Sequence, residues 1–157
     1  PLGPGPQAGR CALSNKIEAY NLPQGVISHM YRDIAAHNIG TITHVGLYTF
    51  ADPRNGGGKL NDVTKEDLVK VVEIEGQERL LYKAFPINVV FLRASYADEY
   101  GNCTVHREIG PIDVTAMAQA CKNSGGRVIV QVEKIVQGGS WIRNWWQFPV
   151  SMWILLW

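Results

Sequence analysis

The side chain best placed to do chemistry is the amide of Gln24, within the segment K-I-E-A-Y-N-L-P-Q-G from Lys16 to Gly25. Scattered apolar residues predict a short strand here that breaks at Pro23, and apolar spacing then predicts a helix from Val26 to His37. An amide at such a strand-to-helix turn can donate hydrogen bonds to a ligand without adding charge. On the residues alone, helix capping is the better interpretation of Gln24.

The other residues of chemical interest lack the neighbours that catalysis or metal binding requires. Cys103 has no nearby base to activate it as a nucleophile. The histidines have no carboxylate or second histidine at metal-ligand spacing: His29, His37, His44 and His106. The glutamates stand in helix, hairpin or turn contexts and are interpreted as solvated charges: Glu18, Glu66, Glu73, Glu75, Glu78, Glu99, Glu108 and Glu133. The sequence therefore predicts no metal site.

Two glycine-containing motifs indicate turns. The triplet Gly56-Gly57-Gly58 frees the backbone either to approach a ligand or to make a turn. It is a weak candidate for a phosphate-binding loop, because no glycine pattern between a strand and a helix with a following Lys-Ser or Lys-Thr is present. Gly101-Asn102 is typical of a tight turn between strands.

Helical and strand patterns alternate along the chain and must position these residues. A strand is predicted at Thr41–Leu47, leading into a loop at Asp52–Lys59, and a hairpin is predicted from Leu68–Glu75 and Glu78–Phe85 around Gly76-Gln77. The apolar run at Ile87–Ala94 predicts a strand covered on both faces. A helix at Asp113–Lys122, capped by Asp113 and followed by Gly125-Gly126, and a strand at Arg127–Val136 complete the prediction. This alternation predicts an α/β sheet with helices on its faces.

Composition excludes several classes of protein. The chain has 157 residues, 46% apolar and 18% charged, which is ordinary for a soluble globular domain. A net charge of +1 gives no basic surface for nucleic acid. Three cysteines without metal spacing predict free thiols, which suit a reducing cytoplasm. Residues 1–11 are rich in Pro and Gly, which predicts linker or coil and no signal peptide.

Further short motifs follow Lys16–Gly25 in a fixed order. They are V-G-L-Y-T-F-A-D-P-R from Val45 to Arg54, G-G-K-L-N from Gly57 to Asn61, A-F-P-I from Ala84 to Ile87, A-D-E-Y-G-N from Ala97 to Asn102, and M-A-Q-A with N-S-G-G between Met117 and Gly126. Together they resemble the family I coenzyme A transferases, and most closely the single-chain propionate or acetate type, over about residues 12–137. Several motifs in the right order are more specific than any one of them.

This resemblance implies covalent catalysis. A glutamate carboxylate attacks the acyl-CoA thioester, the released thiolate returns to form a glutamyl-CoA thioester, and an acceptor acid takes the CoA. Negative charge develops on a carbonyl oxygen at each step, and the glutamine of the family's P-Q-G turn donates to that oxygen. The matching residue is Gln24. The family's glutamate, which is followed closely by Gly and a Gly-Gly pair, has no match in this sequence, so the chain alone is expected to be inactive.

The resemblance also implies the fold and the partners. The expected fold is an incomplete three-layer open α/β sheet of the type shared by CoA transferases and some sugar-phosphate isomerases, with this chain as a central piece of the first domain. The expected substrates of the intact enzyme are acyl-CoA and short carboxylic acids. No metal or prosthetic group is expected, the intact enzyme is expected to be a homo-oligomer, and the location is expected to be cytoplasmic.

Both ends are expected to be out-of-frame translations of a longer gene. Codons for Pro1–Arg10 can be chosen so that reading one nucleotide later gives His-Trp-Gly-Leu-Ala-Pro-Lys. Codons for Trp141–Trp153, read one nucleotide earlier with T before them, can give Leu-Asp-Pro-Glu-Leu-Val-Ala-Ile-Pro-Gly-Ile-Tyr-Val, and relatives carry such segments at both places. The expected organisation is therefore a lead at 1–11 that is out of frame or disordered, a partial transferase domain at 12–137 and an out-of-frame aromatic tail at 138–157.

A rival interpretation starts from the tryptophans, all five of which lie between Trp141 and Trp157. The chain would then be a small non-enzymatic α/β binding protein whose tail binds at a membrane surface. Arg143, Asn144 and Gln147 interrupt the tail, which makes a full membrane span unfavourable. A third interpretation, a sugar-phosphate isomerase relative, would require carboxylate and histidine pairs that are not apparent.

Overall fold

The computed structural model describes residues 5–109, 112–138 and 154–156. Its elements, in chain order, are α1 (Pro6–Leu13), α2 (Gln24–Ala35), β1 (Gly40–Thr43), a 3-10 turn (Pro53–Asn55), β2 (Val69–Ile74), β3 (Gln77–Lys83), β4 (Val89–Asp98), β5 (Cys103–Thr104), α3 (Val114–Asn123), β6 (Arg127–Val136) and β7 (Ile154–Leu156). These helices and strands confirm the predicted α/β class.

Two compact units share these elements. The described residues of Pro1–Met30 and Gly40–Lys83 form the first unit, and those of Tyr31–Ile39 and Ala84–Trp157 form the second. Each unit has its own sheet, ordered β1-β3-β2 in the first and β5-β4-β6-β7 in the second.

The sheet of the first unit is antiparallel and contains the predicted hairpin. Strands β2 and β3 pair from Val69 opposite Tyr82 to Ile74 opposite Gln77. The two-residue connection is Glu75-Gly76, one residue earlier than predicted, and both residues have positive φ, at 50° and 74°. Positive φ at both positions is typical of a type I′ turn, whose twist matches that of the flanking strands. The hairpin is therefore confirmed, with its turn shifted by one residue.

The core of the first unit joins one face of α2 to this sheet. Val26 and Met30, four residues apart on the helix, lie on the same face. They form a buried cluster with side chains from the sheet and from the loop after β1: Ala51, Val69, Leu80 and Tyr82. The fully buried Tyr82 ring satisfies its hydroxyl by donating to the carbonyl of Val45 at 2.8 Å.

The sheet of the second unit is mixed. Strand β4 is antiparallel to β5 and parallel to β6, and β6 is parallel to β7. Helix α3 begins after Asp113, as predicted, but Asp113 has φ 54° and makes no side-chain capping bond. The helix ends before Gly125, whose φ of 76° suits glycine, and the Gly126 amide donates back to the carbonyl of Cys121. The predicted strand at Arg127–Val136 coincides with β6.

One face of β4 is exposed, which contradicts the prediction that both faces of this strand are covered. Leu92 and Ala94 belong to the buried core of this unit, together with Ala118 and Cys121 of α3. Phe91 points the other way and is 76% exposed. Side chains alternate along a strand, so a continuous apolar run can have one open face. Here the open face borders a cavity lined by the side chains on the Phe91 side, which are Phe91, Arg93, Ile129 and Gln131.

Three local predictions were wrong. Residues Pro6–Leu13 form α1 where coil was predicted. The predicted strand before Pro23 is irregular apart from a single bridge between Tyr20 and Lys59. Strand β1 ends at Thr43 and does not reach Leu47, because the chain turns at Gly46 beneath the Tyr82 hydroxyl, where a Cβ would lie 2.2 Å from that oxygen.

The prediction that both chain ends are out-of-frame translations stays a prediction. Most of the tail at 138–157 lies outside the described residues, and the out-of-frame origin of either end stays a hypothesis. Among the described residues, no helix has the length and apolar character needed to cross a membrane.

Candidate functional site

Gln24 is the first residue of α2, so it stands in a helix and not in a turn before one. The carbonyl of Pro23 accepts hydrogen bonds from the amides of Val26 and Ile27 at 3.0 and 3.1 Å, which closes the first turn. The Gln24 side chain is exposed and, within the part of the chain that the structure describes, it forms no hydrogen bond. The capping interpretation is therefore not what the structure shows, and the amide is available to a ligand.

The segment that leads into Gln24 is held by the backbone of the glycine loop. The Asn21 amide donates to the carbonyl of Gly58 at 2.7 Å, and the Leu60 amide donates to the carbonyl of Ala19 at 2.9 Å. Gly58 has φ 74°, and a Cβ there would lie 2.7 Å from the Asn21 carbonyl oxygen. Only glycine allows this approach. The role of the triplet shown here is a close turn against the chain before α2.

A second set of hydrogen bonds anchors the same segment farther upstream. The hydroxyl of Thr64, which is almost fully buried, accepts from the Ala19 amide at 2.8 Å and has a close contact with the amide oxygen of Asn61. Asn61 in turn donates to the carbonyls of Ala12 and Ile17, both at 2.8 Å. The loop after the glycines thus also ties down α1.

The loop before the glycines is organised around a buried carboxylate. Asp52 has no exposed surface, and its oxygens accept from the Tyr48 amide at 2.8 Å and from the Arg54 amide at 3.0 Å. The Arg54 guanidinium adds two bonds, from Nε at 2.9 Å and from Nη2 at 2.8 Å. These four bonds satisfy the carboxylate, which would otherwise be costly to bury.

Arg54 is held from both sides. Its Nη1 lies 3.2 Å from a carboxylate oxygen of Glu78 on β3, and its guanidinium carbon lies 5.0 Å from the centre of the Tyr48 ring. The hydrogen bonds from the Arg54 side chain keep the pKa of Asp52 well below its usual range and outweigh the opposite effect of burial. Asp52 is thus ionised at neutral pH.

The backbone beside this carboxylate connects it to the glycines. The Gly57 amide donates to the carbonyl of Asp52 at 2.9 Å, and the Gly58 amide donates to the carbonyl of Phe50 at 2.9 Å. The sequence alone predicts no role for Asp52, although it lies in the Asp-Pro-Arg motif. An available signal was the Asp-Pro pair, which is typical of a side chain that bonds its own backbone at a turn.

The other candidates behave as surface or core residues. All four histidines are exposed, and His106 has its Nδ1 2.9 Å from the Thr104 hydroxyl. Cys103 is fully buried, and desolvation, with a smaller contribution from the charge of Asp98, raises its pKa to about 12. Its thiol stays protonated at neutral pH, which supports the prediction that it is not a nucleophile. All three cysteines are free, as predicted.

The glutamates are exposed as predicted, apart from Glu108, which is half-buried and lies 3.5 Å from Arg93. The described residues contain no group of three His, Cys, Asp or Glu side chains arranged to hold a metal ion. The candidate site is the start of α2 with its two supporting loops, defined by Gln24, Asn21, Gly58 and Asp52.

Comparison with known proteins identifies the family. The Coenzyme A transferase family model matches residues 4–143. The chain is 47% identical over 135 residues to the acetate CoA-transferase YdiF of Escherichia coli K12, which covers 86% of this chain and 25% of YdiF. It is 55% identical over 121 residues to the caffeate CoA-transferase of Acetobacterium woodii, which covers 76% of this chain and 23% of that protein.

A solved structure agrees with these relatives. The acyl-CoA transferase YdiF of Escherichia coli O157:H7, crystallised as a thioester complex with CoA, matches 98% of this chain and 30% of its own, at 42% identity and a TM-score of 0.93. This chain spans about a quarter of the length of the curated relatives that it matches. Motif order, fold and relatives agree, and the chain belongs to the coenzyme A transferase family.

Proposed function

We propose that this chain is a segment of an acyl-CoA:carboxylate CoA-transferase that moves CoA between short carboxylic acids. The observation that carries the proposal is the exposed amide of Gln24 at the start of α2, which forms no hydrogen bond to the residues that the structure describes. The fold matches that of a transferase crystallised as a thioester complex with CoA. The substrates of the whole enzyme are an acyl-CoA and a free acid. Neither a metal nor a prosthetic group takes part in the proposed reaction.

The proposed reaction proceeds in balanced steps. A glutamate carboxylate of the whole enzyme attacks the thioester carbonyl, the carbon–sulfur bond breaks, and an acyl-glutamyl anhydride and CoA thiolate result. The thiolate attacks the glutamyl carbonyl, giving a glutamyl-CoA thioester and the first free acid. An incoming carboxylate repeats the two steps in reverse and leaves as the new acyl-CoA. The electron pair returns to the glutamate carboxylate at the end.

Gln24 is proposed as a donor to the oxyanion that forms at each attack. Its amide nitrogen carries two hydrogens and no charge, so it stabilises the developing negative charge without pairing with the attacking carboxylate. The helix start supports this role, because Gln24 lies at the positive end of the α2 dipole. The geometry of the two supporting loops keeps that end in place.

The reactive glutamate is proposed to lie in another part of the longer enzyme. The glutamates of this chain are exposed or paired with arginines, and none stands in the family's glutamate motif. The 157-residue chain is therefore expected to be inactive alone. A cytoplasmic location and a homo-oligomeric whole enzyme are part of the same proposal.

The test uses a chimera in which the matching segment of this chain replaces that of Escherichia coli YdiF. Exchange of CoA between a labelled acyl-CoA and free acetate is measured for the chimera and for the 157-residue chain alone. We expect exchange and a covalent CoA adduct, detected by intact mass, in the chimera only. Exchange by the chain alone would show that its own residues supply the nucleophile and would overturn the proposed division of the site.

A further inference from the structure

We propose that Asp52 is a positioning residue that fixes the Gln24 end of α2 through the glycine loop. This inference rests on the proposed role of Gln24 as an oxyanion donor. Asp52 is fully buried and its carboxylate is enclosed by Tyr48 and Arg54, so it does not touch substrate. Its effect on the reaction must pass through the backbone that it holds.

The Asp52 carboxylate holds its own loop in place by hydrogen bonds to the backbone. The carboxylate binds the Tyr48 amide on one side and the Arg54 amide on the other, which fixes the backbone across residues 48–54. Tyr48 has φ 62°, a conformation that residues other than glycine adopt only when the surroundings impose it. The bond from its amide to Asp52 is one of those constraints.

The loop around Asp52 is connected to the start of α2 by two sets of contacts. Ala51, next to Asp52, is fully buried in the same core cluster as Val26, two residues after Gln24. On the other route, the carbonyls of Phe50 and Asp52 accept from the amides of Gly58 and Gly57, and the Gly58 carbonyl accepts from the Asn21 amide. Asn21 stands three residues before Gln24. Both sides of the helix start are therefore held by the loop around Asp52.

The position of the Gln24 amide must be precise for it to act as an oxyanion donor. An oxyanion donor acts only when its nitrogen lies about 3 Å from the position of the developing charge. A displacement of about 1 Å from a distant change can cost on the order of a hundredfold in rate. Loosening the loop should therefore lower turnover through Gln24 while leaving the protein folded.

The kinetic test uses the chimera defined above and the substitution Asp52→Asn. This substitution keeps the shape of the side chain but replaces one acceptor oxygen with an NH2 group, a donor, in the site enclosed by Arg54. We expect kcat to fall about tenfold, as for partial misplacement of one donor, with KM changed by less than about twofold. The matched control is Asp67→Asn, because Asp67 is an exposed carboxylate paired with Lys59 at 2.6 Å. We expect that control to change kcat by less than about twofold.

A double substitution separates positioning from an independent effect. If Asp52 acts through Gln24, then Asp52→Asn should add nothing to Gln24→Ala, and the double variant should match Gln24→Ala within about twofold. A double variant slowed by the product of the two single effects would overturn the positioning role. If Gln24→Ala alone leaves kcat unchanged, the oxyanion role fails, and that outcome is distinct from a failure of the Asp52 proposal.

A second measurement does not depend on activity. Hydrogen exchange in the same variants reports whether the loop still holds the chain before α2. We expect Asp52→Asn to speed exchange of the Asn21 amide at least about tenfold more than exchange of the amides of α3, which serve as the internal control. Unchanged protection at Asn21 would contradict the proposed route, and equal acceleration at Asn21 and in α3 would show a general structural role in its place.

Discussion

Phe91 and Leu92 are neighbours on β4, yet Phe91 is 76% exposed and Leu92 is 7% exposed. The strand alternates its side chains, so Leu92 enters the core shared with α3 while Phe91 faces away from it. The open face around Phe91 also includes Val89, which is exposed. Two adjacent apolar residues therefore have opposite environments, one exposed to solvent and one buried in the core.

The first prediction concerns this open face. Substituting Phe91→Lys should raise the solubility of the 157-residue chain and leave its melting temperature within a few degrees, because an exposed apolar patch promotes association. The corresponding substitution at the adjacent position, Leu92→Lys, buries an unpaired charge and should prevent folding. Light scattering and circular dichroism measure the two effects. Equal behaviour of the two variants would contradict the assignment of faces.

The second prediction concerns the close approach of Gly58 to Asn21. Gly58→Ala should lower the free energy of unfolding by more than the roughly 1–3 kcal/mol of a strained backbone alone, because its Cβ also meets the Asn21 carbonyl. Gly56→Ala is the matched control, since Gly56 has φ 110° but open space around its Cβ. Urea unfolding of both variants in the Phe91→Lys background gives the comparison. A Gly56 variant as unstable as the Gly58 variant would show that the contact contributes nothing.

The third prediction concerns Asp52 and acid. Replacing Asp52 with Asn should cost about 2 kcal/mol at pH 7, the usual scale for a hydrogen bond to a charged group. The pKa of Asp52 is lowered in the folded state by the Arg54 side chain. Its contribution is therefore complete above the ordinary value of 3.8 and is lost as the pH falls below it.

Urea unfolding at pH 7 and at pH values below 4 tests that dependence. The parent chain should lose more stability on acidification than Asp52→Asn does, because the variant has no carboxylate to protonate. Asp67→Asn, at an exposed ion pair, should cost much less stability at pH 7 than Asp52→Asn does. Parallel pH profiles for the parent and Asp52→Asn would refute the assignment.

The fourth prediction concerns Cys103 and base. Burial raises the folded-state pKa of Cys103 from 9.0 to about 12, so the unfolded chain releases this proton first. Stability should fall as the pH rises from about 9 towards 12. The pKa of Cys121 is also raised by burial and adds to the same slope. Cys103→Ala should make the loss of stability between pH 8 and 10 shallower, as measured by urea unfolding.

Elements defined by local signals could be predicted from the sequence. The hairpin carries its turn residues at Glu75-Gly76, α3 ends at glycines that suit its final turn, and β6 is a continuous apolar-rich strand. Helix α1 was missed because Pro6 was interpreted as coil, although proline is favoured in the first turn of a helix. Both outcomes follow from information within a few residues.

The supporting loops of the site could not be predicted in this way. Asp52 gains its role from Arg54 and from the Gly58–Asn21 bond, which joins residues far apart in sequence. Nothing in the alternation of apolar residues shows that one face of β4 is open at Phe91. Gln24 itself was found through family motifs, since its residue type and position alone favoured a helix cap.

The oxyanion role of Gln24 is tested most directly by the turnover of Gln24→Ala in the YdiF chimera. Transfer of CoA from a labelled acyl-CoA to acetate is measured beside Gln77→Ala, a control at an exposed glutamine of the hairpin. We predict that Gln24→Ala lowers kcat about a hundredfold, the usual effect of losing one oxyanion donor, while Gln77→Ala stays within about twofold of the parent. A Gln24→Ala chimera that turns over as fast as the control would contradict this role.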